Sequence, residues 1–334
     1  MNFRKPSIVV VTGASAGVGR AAALEFARQG ADVALIARDA AALEDAAAEV
    51  RAYGVRALPI SVDVSFADAV EDAASHIEAT LGPIDVWVNN AMLTSLSPLA
   101  EMPERDFRRI TDVTYLGYVW GTMAALRRMR PRNRGVIVQV GSALAYRSIP
   151  LQSAYCGAKH AIRGFTDSLR CELRHEKSGI HVTMVQMPVI NTPQFDWAKT
   201  GMPHAPRPVA PIFQPEVAAR AIHWAATHRR RELWVGFSSV KAIVANHLFP
   251  GLLDAYLGRT GYDAQQDASL PGGERPQNLW EPVTALHRTH GRFDAESSRS
   301  SGALWFGTHR GAVLGVGAAL GALWLMGRKT QRDV

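Results

Sequence analysis

Residues 7–20 read SIVVVTGASAGVGR, and this stretch decides the fold. Ser7 to Thr12 is a β-branched apolar run, which suits a strand buried on both faces. The chain then turns through Gly13, Ser15, Gly17, Val18 and Gly19 and reads as a helix over residues 20–29. Ala23, Leu24, Phe26 and Ala27 lie on the apolar side of that helix, and Gly30 ends it. In a chain with 28 glycines the G-x-x-x-G-x-G spacing says little by itself, and it recurs at Gly311, Gly315 and Gly317. Between a strand and a helix it acquires a meaning. There the glycines allow a tight turn and a close backbone approach, and the helix N-terminus offers unpaired N–H groups and partial positive charge to a pyrophosphate.

Outward from this unit the same alternation repeats. Apolar runs at 33–37, 57–62, 84–88, 136–140, 181–187 and 232–235 read as strands. Helical patterns fall between them at 40–52, 68–81, 104–129, 155–176 and 215–228. Strands without a polar face, alternating with helices, mean a parallel sheet covered on both sides, the α/β doubly wound class. We assign residues 1–240 to this catalytic domain. Residues 241–302 are expected to form a helical extension and a polar linker, rich in Gln, Asp, Gly, Pro and Ser from 264 to 300. Residues 303–334 are expected to form a hydrophobic tail. A proline-rich insertion after the strand at 181–187 brings Phe195, Trp197, Met202, Ile212 and Phe213, which are expected to line a substrate pocket.

Composition narrows the function. With 47% hydrophobic and 20% charged residues the chain is no disordered segment. The net charge of +7 is scattered; its densest run, Arg127, Arg128, Arg130, Arg132 and Arg134, has no interleaved aromatics and reads as a solvated helix end, so no nucleic-acid partner is expected. Two cysteines, Cys156 and Cys171, form neither a disulfide framework nor a thiolate metal cage. A reducing compartment and no metal follow.

The cofactor and the chemistry come from single positions. The end of the strand at 33–37 carries Ala37 and Arg38, where an acid would favour NAD; an arginine accommodates the 2′-phosphate of NADP. Tyr155-x-x-x-Lys159 occurs once in the chain. At i, i+4 the two side chains share a helix face, and an ammonium near the phenol is expected to pull the tyrosine below its usual pKa of about 10. Tyr155 is then a general acid/base for an alcohol and carbonyl pair, and Ser142, at the end of the strand at 136–140, can hold the same oxygen.

Taken together, Thr12-Gly13-x-Ser15-x-Gly17-Val18-Gly19, Asp63-Val64, Asn89-Asn90-Ala91, Ser142 and Tyr155-x-x-x-Lys159 resemble the short-chain dehydrogenase/reductase family over about residues 5–240. The resemblance implies a nicotinamide cofactor, with Asp63 and Val64 near its adenine and Asn89 to Ala91 beside the adenosine ribose and the central sheet. It also implies Lys159 on the nicotinamide ribose, and Ile190 and Thr192 in the segment that holds the carboxamide. Two positions depart from the family pattern. Met92 stands where the asparagine motif usually ends in glycine, and Thr114 aligns with the active-site asparagine that holds a relay water.

The sequence reading is therefore an NADP(H)-dependent oxidoreductase acting on a small hydrophobic alcohol or carbonyl compound and assembling as a homo-oligomer. The rival reading is a cofactor-binding sensor or scaffold at a membrane that has lost turnover, favoured by Thr114. Residues 311–326 carry no charge and are followed by Arg328, Lys329 and Arg332. At about 1.5 Å per helical residue they cover about 24 Å, so a span of about 30 Å must reach back to Ala303. Trp305 and Trp324 then sit near its ends. We expect a membrane-associated protein with its catalytic domain on the cytoplasmic side, the alternative being a soluble cytoplasmic one.

Overall fold

The computed structural model describes residues 5–311. The β-branched run forms strand β1 (Ile8–Thr12), buried along its whole length, and the glycine turn delivers the chain into α1 (Gly17–Arg28). The alternation continues through β2 (Asp32–Ala37), α2 (Ala40–Arg51), β3 (Ala57–Ser61), α3 (Ala67–Thr80) and β4 (Val86–Asn89). A two-residue strand β5 (Ser95–Leu96) precedes α4 (Glu104–Thr111) and α5 (Gly117–Met129), joined by a π-helical turn at Asp112–Leu116. Strand β6 (Gly135–Ser142), helix α6 (Ser153–His175) and strand β7 (Ile180–Met187) follow. The insertion carries β8 (Val189–Ile190), the turn of helix α7 (Gln194–Trp197), β9 (Lys199–Thr200), β10 (His204–Pro206) and β11 (Ile212–Phe213), before α8 (Pro215–Thr227) and β12 (Glu232–Trp234).

Seven strands form one parallel sheet in the order β12-β7-β6-β4-β1-β2-β3. The order reverses between β1 and β4, and at such a switch point a crevice opens beyond the carboxyl ends of the strands. One apolar layer packs Phe26, Leu43 and Ile222 against one face, and the other packs Ile77, Ile110 and Leu169 against the opposite face. Gly13 has φ +68°, and a Cβ there would stand 2.9 Å from the Ala91 Cα. A Cβ on Gly19 would meet the Gly13 carbonyl oxygen at 2.1 Å. Both glycines are therefore required for α1 to close down on the β1 end.

The C-terminal part departs from the sequence reading. Helices α9 (Phe237–Leu248) and α10 (Pro250–Thr260) form the expected helical extension. Residues 264–300, expected as a polar linker, pack on the catalytic domain instead. Strand β13 (Gln266–Pro271) pairs with β10, and β14 (Ser297–Ser298) pairs with β11. Their polar side chains serve these pairings and many ion pairs, such as Arg292 with Asp196 and Asp267. The tail boundary at 303 also moves. Helix α11 (Gly302–Thr308) lies against β12, with Ala303 and Leu304 buried and Leu304 in the main apolar layer. Residues 303–308 therefore belong to the globular body. The remainder of the tail after Gly311, including Trp324, lies outside the described residues, and no helix among the described residues is long and apolar enough to cross a membrane.

Two further expectations change. Ile212 and Phe213 are buried in β11 between β8 and β14, so they build the insertion rather than a pocket wall. The arginine run is paired with acids: Arg127 and Arg128 with Glu71, Arg130 with Glu176, Arg132 with Glu78 and Arg134 with Asp85.

Candidate active site

A cavity of about 540 Å³ runs along the carboxyl ends of the sheet strands. Gly13, Ser15, Gly17, Val18, Arg38, Asp63, Val64, Ala91, Ser142, Tyr155, Lys159, Ile190 and Thr192 all line it. The first turn of α1 has no side-chain cap, and its Gly17 N–H donates to the Arg288 carbonyl at 3.0 Å. At the far end Asp63 pairs with Arg109 and accepts from the Ser65 N–H at 3.0 Å. Burial works to raise the Asp63 pKa, but the hydrogen bonds from Arg109 and Ser65 outweigh it and hold the carboxyl below its usual range.

The reacting end is built by β6 and α6. Ser142 closes β6, and its Oγ accepts the Leu144 N–H at 3.1 Å and lies within hydrogen-bond reach of Tyr155. Tyr155 and Lys159 occupy the first two turns of α6 and are 9% and 2% exposed. Lys159 Nζ donates to the Val140 carbonyl at 2.8 Å and to the Tyr118 hydroxyl at 3.1 Å, and lies 5.5 Å from the Tyr155 ring centre.

The electrostatics reverse the sequence expectation. Burial raises the Tyr155 pKa above its usual value, against a smaller lowering by the hydrogen bond with Ser142. Burial also pulls Lys159 down to about 7. Burial therefore favours the neutral phenol at Tyr155, and the Lys159 ammonium, itself weakened by burial, opposes this less than the spacing alone suggests.

Three expected site residues do not reach the cavity wall. Gly19 lies beneath the turn, against the Gly13 carbonyl. Asn89 is fully buried behind the sheet end. Its Oδ1 accepts from Trp87 Nε1 at 2.8 Å, and its Nδ2 donates to Thr122 Oγ1 and Gln139 Oε1, both at 3.0 Å. It ties β4 to α5 and β6. The neighbouring Asn90 lines the groove instead and fastens β4 to β1 by bonds to Thr12. Thr114, also fully buried, accepts the Leu93 N–H at 2.9 Å and donates to the Leu93 carbonyl at 3.0 Å. Its hydroxyl is spent on the loop after β4, and it makes no bond to Lys159.

Sequence reasoning missed several wall residues. Leu93, Leu96, Leu144, Met187 and Leu257 form an apolar chamber of the same cavity. Of the expected pocket residues, Phe195 and Trp197 take part, whereas Met202 packs in a small cluster with Leu96, Leu151 and Ala198. Gln152 and Gln265, joined by a 2.7 Å bond, add polar groups. Asn278, Val283 and His287 come from the C-terminal extension, where no periodicity signals them.

The family model described as short chain dehydrogenase matches residues 7–201. The chain is 32% identical over 286 residues to the uncharacterized oxidoreductase YxnA of Bacillus subtilis (strain 168), covering 85% of this chain and 80% of that one. A short-chain dehydrogenase structure from Streptomyces avermitilis aligns with a TM-score of 0.63 at 28% identity, over 78% of this chain and 98% of that one. The alcohol dehydrogenase of the archaeon Thermococcus sibiricus, solved with 5-hydroxy-NADP, aligns with a TM-score of 0.60 at 27% identity, over 68% and 95%. The chain belongs to the short-chain dehydrogenase family, oxidoreductases whose fold binds a nicotinamide cofactor.

Proposed function

We propose that this oxidoreductase is NADP(H)-dependent and interconverts a hydrophobic alcohol with its ketone or aldehyde. The observation that carries the reading is the meeting of Ser142, Tyr155 and Lys159 where the glycine-turn groove opens into the apolar chamber. The uncapped α1 terminus and the two glycines that keep side chains out of the turn fit a pyrophosphate. Arg38 on the groove wall, with no acid at position 37, favours the 2′-phosphate form.

The bound nicotinamide supplies the hydride for reduction and accepts it for oxidation. The chain's own groups handle the oxygen. In the reducing direction the Ser142 hydroxyl donates to the carbonyl oxygen and fixes its position, and Tyr155 transfers its phenolic proton to that oxygen as negative charge develops. Solvent then reprotonates the phenolate, and Lys159, held by Val140 and Tyr118, keeps a positive charge within reach of it at and below neutral pH. The apolar walls exclude water from the reacting carbon.

A screen of NADPH oxidation against hydrophobic ketones and aldehydes tests the activity. A fluorescence titration tests the cofactor: NADPH should bind at least tenfold tighter than NADH, about 1.4 kcal/mol. Equal affinities would refute the NADP assignment. The uncharged run at 311–326 supports membrane association through the chain beyond Gly311, and the catalytic domain would lie on the cytoplasmic side, where its reducing cofactor is available.

A further inference from the structure

Residues 278–288 run as a strap over the adenosine end of the groove, and the groove residues themselves hold it there. Arg38 donates to the carbonyls of Trp280, at 2.8 Å, and Asn278, at 2.5 Å. Arg109 donates to the Leu279 carbonyl at 3.1 Å, with its guanidinium 5.6 Å from the Trp280 ring centre. Arg20 donates to the His287 carbonyl at 3.2 Å, and the Gly17 N–H, in the glycine turn, donates to the Arg288 carbonyl at 3.0 Å. Leu279, within the strap, is fully buried.

The strap brings one titratable side chain into the cavity. His287 lines the groove with Arg38, Asp39 and Ser15, and its side chain is 8% exposed. Its ring leans on Trp197 with centres 5.5 Å apart. Nε2 stands 3.2 Å from Asp39 Oδ2, close enough for an ion pair, yet neither ring nitrogen nor that oxygen makes an aligned hydrogen bond. Asp39 Oδ1, by contrast, is used to cap α2 at the Ala42 N–H. A buried imidazole and a buried carboxylate oxygen that face each other without an aligned hydrogen bond leave polar capacity for a further group.

The surrounding charge says what that is. The guanidinium groups of Arg20 and Arg38 face His287 from α1 and from the residue after β2, with Asp39 against the ring and Arg20 itself paired with Glu49. A phosphate monoester can accept from both the arginine and an imidazole N–H, and Asp39 Oδ2, 3.2 Å from Nε2, orients the ring, although burial lowers the His287 pKa.

We propose that His287 is a ligand of the 2′-phosphate of NADP(H), so that the C-terminal strap, and not only the residue after β2, sets cofactor choice. Two of the five N–H groups of Arg38 go to the strap carbonyls, which fixes its fork and leaves the others for the same phosphate. The proposal rests on the reading that the groove holds NADP(H).

The test is a fluorescence titration of wild type, His287→Ala and His287→Gln with NADPH and with NADH, alongside thermal unfolding of each variant. Adenosine 2′,5′-bisphosphate and 5′-AMP serve as competing probes. His287→Ala should weaken NADPH and the bisphosphate about tenfold, and NADH and 5′-AMP less than twofold. His287→Gln, which keeps a donor without a charge, should fall between. Unchanged NADPH affinity in a folded His287→Ala overturns the proposal, as does an equal loss for both cofactors, which would make the strap a cover only. Wild type that binds neither cofactor refutes the NADP(H) reading itself and the proposal with it.

Discussion

Lys159 Nζ and the Tyr118 hydroxyl lie 3.1 Å apart, and both groups also bond the Val140 carbonyl, at 2.8 Å and 3.0 Å. The lysine is thus locked by a fully buried tyrosine on α5, one turn beyond Thr114. Tyr118→Phe keeps the ring and removes the acceptor. It should cost about 1 kcal/mol of stability, read as a shift in the denaturant midpoint, and lower kcat severalfold as the ammonium loses its restraint. Unaltered stability and turnover would show that the Val140 carbonyl alone holds Lys159.

Burial of Lys159 carries a pH signature. With its folded pKa near 7 and an unfolded value near 10.5, the lysine disfavours folding fully below pH 7. The penalty fades as pH rises toward 10, because the unfolded chain holds the extra proton in that interval. Lys159→Met should therefore be more stable than wild type at pH 6 by an amount on the order of a few kcal/mol, and the gap should narrow at pH 9.5. A gap independent of pH would mean that Lys159 titrates normally.

Tyr155→Phe leaves the groove and its walls in place and deletes the transferable proton. Turnover on any substrate the wild type reduces should fall by about 10³ or more, with NADPH affinity within twofold. Wild-type turnover in this variant would remove Tyr155 from the mechanism.

Thr114 faces Leu93 rather than Lys159, so restoring the family's asparagine should not help. The site is fully buried, and the larger amide must displace the bond pair to the Leu93 backbone. Thr114→Asn should destabilise the fold by about 1–3 kcal/mol in denaturant unfolding and leave kcat unimproved. A faster, equally stable variant would put position 114 back in the relay.

The tail can be cut without harming the body only after α11. A chain ending at Gly311 should fold, bind NADPH and leave the membrane fraction after an alkaline wash, while the full chain stays with it. Ending at Ser300 removes Leu304 from the main apolar layer and should lower the melting temperature by several degrees. Full-length chain in the soluble fraction would dispose of the anchor.

The sequence by itself determined the doubly wound sheet, the glycine turn and the trio Ser142, Tyr155 and Lys159. These signals are local: a strand without a polar face, glycines at a strand–helix junction, and two side chains on one helix face four residues apart. It could not separate Asn89 from Asn90, because adjacent residues at a strand end point to opposite sides and only the packing of α5 says which side is the groove. It misjudged the ionisation of Tyr155 because burial, which pushes Tyr155 up and Lys159 down, depends on what surrounds α6 and not on the spacing within it. Residues 264–300 read as a linker because their groups are polar. Only the tertiary structure brings Asn278 and Trp280 to Arg38, 240 and 242 residues away in sequence, and His287 to Asp39. Contacts of that separation leave no periodicity in the chain, since they are fixed by where the sheet ends and by the charges waiting there.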